Sequence, residues 1–205
     1  MQFSQWLAVA SICILGAMSP GPSLAVVIKN SVSGSRATGI LTAIGHGIGV
    51  GIYATLSVMG LAIILTGQPI LFSTIQILGA LYLIWLGYKA LSAGSEFGQP
   101  HHADVSLTLK QGFTSGFFIS FLNPKIAVFF LALFSQFVAV DSDVMTKSIY
   151  AATAGIIDAL WYIFIAATVS NQKISKKLNQ YSPWLDKLLA IILLIVGFRL
   201  ILGVF

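Results

Sequence analysis

The chain has 205 residues, 57% of them hydrophobic and 8% charged, with a mean hydropathy of +0.93. Soluble domains carry roughly 25% charged residues, so this composition excludes a soluble globular domain and places the chain in a bilayer. The net charge of +5 and pI near 9.4 would point to nucleic acid in a soluble protein, but these cations lie at the ends of apolar runs, where they set orientation; no nucleic-acid partner is expected.

Spanning takes about 20 apolar residues per helix, and six such runs can be counted, which leaves little chain for a soluble domain. The first covers residues 4–29 and is interrupted by Ser19-Pro20-Gly21-Pro22-Ser23. Proline removes a backbone donor and clashes with the carbonyl four residues earlier, at about 3 kcal/mol or more in a helix interior. The two prolines therefore disturb the carbonyls of Gly16 and Met18, and such groups are tolerated in hydrocarbon only where they are buried or line a cavity. Pro22 also suits the first position of a new helix, with the amides of Ser23, Leu24 and Ala25 following it. Residues 1–5 carry no cation and the run is too long for a signal-peptide core, so a retained first helix is expected. Cys13 is the only cysteine, which excludes disulfide frameworks and zinc sites built on several cysteines; it reads as a small packing residue.

A polar turn with Lys29, Asn30, Ser33, Ser35 and Arg36 should lead to helix two, Thr38 to Leu65, which Thr66-Gly67-Gln68-Pro69 ends. Gly45, Gly47, Gly49 and Gly51 form two overlapping small-xxx-small pairs on adjacent faces of that helix and read as close packing. His46 among them is either a neutral imidazole bonded to a carbonyl or part of a proton relay. Helix three should run from Ile70 to Leu91, and Ser92 to Thr108 form the one long polar loop, where His101-His102 read as solvated and not as a metal site. Helix four, 110–139, carries Asn123-Pro124-Lys125 at its centre. That triplet is either a helix restart with Asn as N-cap and Pro as first residue or a simple proline kink. Lys125 argues for function or a partner, because a mid-membrane cation costs about 2.5–3.5 kcal/mol or more.

After Asp141-Ser142-Asp143, helix five should span Val144 to Ser170 and carry Asp158, the one acid inside a span. A carboxylate there must meet a cation, water or a proton, and Lys125 at similar depth is the expected partner. The ring-bearing residues Trp161, Tyr162 and Phe164 read as core or lipid contacts. A basic loop with Lys173, Lys176 and Lys177 leads to helix six, Trp184 to Val204. With the N-terminus outside, eight of the eleven cations fall on the cytoplasmic side, so both termini are expected outside.

Leu86-Gly87-Tyr88-Lys89-Ala90-Leu91 at the end of helix three matches Val196-Gly197-Phe198-Arg199-Leu200-Ile201 at the end of helix six, and Pro20 and Pro124 fall at similar places in helices one and four. The expected architecture is thus an all-α membrane protein of six transmembrane helices: two inverted three-helix repeats (about 1–92 and 109–205, joined by the 92–108 loop) with helices one and four broken, in one domain. Inverted repeats with broken helices in corresponding positions are a signature of secondary transporters. An enzyme is disfavoured, since H-E-x-x-H and G-x-S-G are absent and Gly112-Phe113-Thr114-Ser115-Gly116 has the wrong spacing for a nucleophile elbow. A passive channel or a non-transporting scaffold is the alternative class.

On these residues the chain resembles the LysE/RhtB superfamily of bacterial amino-acid efflux proteins, and within it the threonine and homoserine exporter branch. Ser19-Pro20-Gly21-Pro22, Tyr82-Leu83-Ile84-Trp85-Leu86-Gly87, Leu122-Asn123-Pro124-Lys125 and Phe134-Ser135-Gln136-Phe137 carry the likeness, which covers nearly the whole chain. The resemblance implies efflux of a small neutral amino acid or derivative (threonine, homoserine or a homoserine lactone) across the inner membrane, driven by the proton gradient, without a cofactor or metal, with a homo-oligomer as one possible assembly. On that reading Ser19, Pro20, Gly21, Pro22, Ser23, Asn123, Pro124 and Lys125 are the expected substrate-binding residues, and Asp158 and His46 the expected proton-coupling residues.

Overall fold

The structure is a computed structural model that describes residues 2–19, 21–67, 69–92, 107–137 and 142–169, together with 187, 190, 191, 194, 195, 197–199, 201 and 202. Pro20, the polar loop with His101 and His102, Asp141, the basic loop with Lys173, Lys176 and Lys177, and most of helix six lie outside them. Every element among the described residues is helical: α1 (Phe3–Met18), α2 (Pro22–Lys29), a π-helical turn (Asn30–Gly34), α3 (Arg36–Gly67), α4 (Pro69–Ser92), α5 (Leu109–Phe121), α6 (Pro124–Phe137) and α7 (Val144–Thr168).

Both proline motifs break their helices. The α1–α2 pair bends by 63° and the α5–α6 pair by 55°, and each pair taken together is long and apolar enough to cross a membrane. So are α3, over Arg36–Gly60, and α7. At the second break Asn123 is the N-cap: its Oδ1 accepts from the Lys125 amide at 3.0 Å, and its carbonyl accepts from the amides of Ile126 and Ala127. Pro124 has no amide to give Ser120, and the Asn123 amide takes that carbonyl instead at 3.2 Å. Capping of this kind is what lets a helix stop and restart at depth.

The expected polar turn at residues 30–35 is instead the π-helical continuation of α2. The Ser35 amide closes it on the Asn30 carbonyl at 3.3 Å. Asn30 anchors it by donating to Thr42 Oγ1 at 3.0 Å and Ser115 Oγ at 2.7 Å. A widened turn aims the buried Asn30 amide at two other helices, a packing demand that local polarity does not reveal. Further along, Thr108 and Gln111 form a reciprocal capping box that starts α5. Asp143 caps α7 by accepting from the Thr146 amide at 2.9 Å, and its bonds to Thr146 hold this carboxyl below its ordinary value.

Helix α3 is the centre of the packing, and its glycines divide by face. A β-carbon on Gly45 would overlap the Phe113 carbonyl of α5, and one on Gly49 the Ser120 hydroxyl; one on Gly47 would lie 2.5 Å from Ala159 Cβ and 2.8 Å from the Gly155 carbonyl of α7. Helix α5 answers with Gly112 and Gly116, where side chains would collide with the Thr38 and Thr42 carbonyls of α3. Backbones at this separation are what small residues allow in a membrane, where burial of apolar surface does not drive helices together. The sidedness is that of a lipid-embedded bundle: Thr38, Thr42, His46, Asn30 and Asp158 are buried, while Leu7, Ile48, Ile52, Leu56, Ile156 and Leu160 face outward.

Two substitutions check this packing. Gly116→Ala should destabilise the purified protein in detergent by about 1–3 kcal/mol, because the α3 backbone must move. Gly60→Ala, in the same helix as Gly45 but with nothing within 4 Å of the new carbon, should instead be neutral or stabilising by about 0.5–1 kcal/mol. Thermal unfolding of both variants reads the contrast, and equal effects would contradict the packing assignment.

Candidate functional site

The two helix breaks face one cavity. Ser19 ends α1, where its amide bonds the Gly16 carbonyl at 3.2 Å and the chain then turns extended. Lys125 begins α6 and reaches back to donate from Nζ to Ser19 Oγ at 2.7 Å. Gly21, extended at φ 172°, comes close enough that a β-carbon there would lie 3.9 Å from the same ammonium. A residue 106 positions away in sequence thus ties the breaks of the first and fourth predicted helices together.

The space between them has about 60 Å³ for the centres of water-sized molecules, where one water needs about 10–15 Å³. It therefore holds several waters or one small solute. Its polar wall is Ser19, Lys125 and Asp158; its apolar wall includes Cys13, Ala17, Phe129, Phe130 and Ala154. The tip of the Phe129 ring comes so close to α1 that a β-carbon on Gly16 would lie 2.8 Å from its Cζ.

Asp158 comes from the middle of α7 and is 7% exposed. Its partner is His46, not the expected Lys125: His46 Nδ1 and Asp158 Oδ2 are 2.6 Å apart. The reason lies in the glycine contact between α3 and α7. Gly47 meets Gly155 and Ala159, and that backbone approach carries their sequence neighbours His46 and Asp158 within bonding distance. Lys125 is drawn to Ser19 on the far break. His46 is 1% exposed, its ring stands edge-on to Tyr162 with centroids 4.7 Å apart, and its Nε2 has no hydrogen-bond partner among the described residues.

Of the expected substrate-binding residues, Ser19 and Lys125 line the cavity. Gly21 borders the Lys125 ammonium, and Ser23 is buried with its hydroxyl on Tyr162. Pro22 starts α2, with no side chain capping the helix. The Ala25 amide, expected to be free, is taken by the Gly21 carbonyl at 3.2 Å, because the first intrahelical bond of α2 forms there. Asn123 shapes the second break and is not among the described residues that line the cavity, and the amides after Pro124 are taken by Asn123. Two features escaped the sequence reading: Cys13, read as packing, is in the cavity wall, and so are Phe129 and Phe130 of α6. Spacing gives no sign of either. Among the described residues no cluster of His, Cys, Asp or Glu is arranged to hold a metal.

The LysE type translocator family model matches residues 14–203, nearly the whole chain. The chain belongs to the LysE type translocators. LysE type translocators are transporters and not enzymes. The chain is similar to the threonine efflux protein of Escherichia coli K12, 28% identical over 186 residues that make up 88% of this chain and 89% of that one. It is similar also to the threonine efflux protein of Salmonella typhimurium, 26% identical over 88% of this chain and 89% of that one. A membrane protein of Haemophilus influenzae is 27% identical over 90% of both chains. No solved structure matches this translocator.

The buried pair makes a direct stability prediction. His46→Ala leaves a carboxylate in the core of the translocator without its partner and should cost about 3–5 kcal/mol. Adding Asp158→Asn to that variant removes the stranded charge and should recover part of the loss. Chemical unfolding in detergent measures both, and a loss under 1 kcal/mol in His46→Ala would contradict the pairing.

Proposed function

We propose that this translocator exports a small neutral amino acid of the threonine or homoserine kind across the bacterial inner membrane in exchange for protons. The observation that carries the reading is the cavity itself, where a hydroxyl and an ammonium from the two broken helices meet a carboxylate backed by histidine. Transporter sites built from discontinuous helices at a repeat interface have this construction. The threonine efflux proteins named above point to the same substrate class. A dibasic side chain would need a second acid, and Asp158 is the one acid near the middle of an apolar run, Asp186 standing at the start of helix six.

The same reading takes the chain as one domain of two inverted three-helix repeats with both termini periplasmic. Its support is a symmetry in the glycine contacts. A β-carbon on Gly87 of α4 would lie 2.9 Å from the Ala190 carbonyl and 2.9 Å from Leu194, while one on Gly197 would lie 3.0 Å from the Ala80 carbonyl and 2.7 Å from Ile84. Ala80, Ile84 and Gly87 stand to one another in sequence as Ala190, Leu194 and Gly197 do. Reciprocal contacts of this form arise when two helices cross antiparallel about a twofold axis, as inverted repeats require. Gly47 and Gly155 meet each other's carbonyls in the same reciprocal way. The orientation rests on the cation count.

Proton exchange is assigned to the His46–Asp158 pair, since an imidazole and a carboxyl held 2.6 Å apart at the cavity wall can share, release and regain a proton. Counterflow in proteoliposomes across a panel of amino acids, with and without a pH gradient, tests the whole reading. Threonine or homoserine should exchange best, and an imposed gradient should drive accumulation. Asp158→Asn should keep exchange at raised substrate concentration and lose the gradient-driven part. Lysine as the best competitor would overturn the substrate class, and intact driven accumulation in Asp158→Asn would overturn the coupling role.

A further inference from the structure

We propose that Lys125 and Asp158 are the two ends of a single recognition site for an amino-acid zwitterion, with the α-carboxylate taken by the Lys125 ammonium and the α-ammonium by Asp158 in competition with a proton on the His46–Asp158 pair. The inference rests on the exporter reading above and assigns that site its chemistry.

Opposite charges in a low-dielectric interior ordinarily collapse onto each other. Here they are kept on separate supports: Ser19 Oγ holds the ammonium at 2.7 Å, and His46 Nδ1 holds Asp158 Oδ2 at 2.6 Å. Both charged groups nonetheless line the same small cavity. An acid and a base fixed across a gap are complementary to a molecule carrying the opposite charges at a short separation, which is the defining feature of an α-amino acid. The remaining wall, with Ala17, Phe129 and Phe130, offers no further charge to a side chain. The site therefore reads the backbone end of its substrate and admits small neutral side chains by size.

The pair behind Asp158 supplies the competition. With a proton on both His46 and its bond to Asp158, the pair is an imidazolium and a carboxylate and carries no net charge. Loss of one proton leaves a neutral imidazole and a net charge of minus one, which the substrate ammonium then neutralises. One proton leaves for each zwitterion that binds, and one enters when it departs; no other bond changes. The buried Nε2 of His46, without a partner among the described residues, is the nitrogen that gives up and regains this proton. The other groups facing Asp158 are Cys13 from α1, Lys125 from α6 across the cavity, and Tyr162 one turn along α7.

Equilibrium binding of labelled threonine to the purified protein, with competitors, decides the question. Threonine amide lacks the carboxylate and 2,3-dihydroxybutyrate lacks the ammonium; each should compete at least about 30-fold more weakly than threonine, the loss expected when one partner of a buried charge pair is missing. Below the proton affinity of the pair, the apparent Kd for threonine should rise by up to about tenfold per pH unit, the limit for one competing proton. Lys125→Gln should erase the preference for threonine over its amide, Lys125→Arg should retain it, and Asp158→Asn should erase the pH dependence. Wild-type protein that binds threonine and its amide equally, or a pH dependence that survives in Asp158→Asn, overturns this proposal and leaves the exporter reading standing. Wild-type protein that binds no amino acid of the panel overturns both. The wild-type competition series stands even if a variant fails to fold.

Discussion

A carboxylate in the middle of an apolar helix is the constraint on which the rest of the structure turns. Asp158 costs several kcal/mol to bury alone, and the protein meets that cost with an imidazole from α3 held at 2.6 Å. The bond in turn requires α3 and α7 to approach more closely than ordinary side chains permit. Gly47 and Gly155 provide that approach, and the fully buried Thr38 and Thr42 with Gly112 and Gly116 provide the matching one between α3 and α5. The small-residue faces of α3 are thus in the service of one buried charge as well as of packing.

The broken helices solve a second problem. A continuous helix satisfies its own backbone and presents only side chains to its neighbours. Breaking it by 63° and 55° opens a space where α1 and α6 would otherwise pack, and lets Lys125 stand at a helix start and reach the hydroxyl that ends the opposing helix. Asn123 capping makes the second break self-sufficient. The first has no side-chain cap at Gly21, so the two breaks are not equivalent even though proline sits in both.

Much of this was legible from residue chemistry alone. Prolines in apolar runs announce a break, glycines four apart announce close faces, and a lone aspartate in a span announces a buried partner. Helix bounds came within two residues or so wherever a cap or a Gly-Pro boundary marks them, as at Thr108 and Asp143. What the sequence could not supply is which groups meet. His46 and Asp158 are separated by 112 positions, and periodicity places each on a face without saying which faces are opposed; equal depth favoured Lys125, and a glycine contact decided for His46. The π-helical turn escaped for a similar reason, since Asn30, Ser33 and Ser35 have the composition of a loop and only the bonds from Asn30 to Thr42 and Ser115 make them helical. The apolar lining from Phe129 and Phe130 looks in sequence like any other stretch of a membrane helix.

Substrate and proton are proposed to exclude each other at one buried pair, His46 and Asp158. Titration calorimetry of threonine into the detergent-solubilised protein, run at one pH in two buffers of different ionisation enthalpy, measures it directly. The observed heat should depend on the buffer by an amount corresponding to as much as one proton released per threonine bound, and the dependence should disappear in Asp158→Asn. Threonine binding with the same heat in both buffers, across the pH range where histidine titrates, would contradict it.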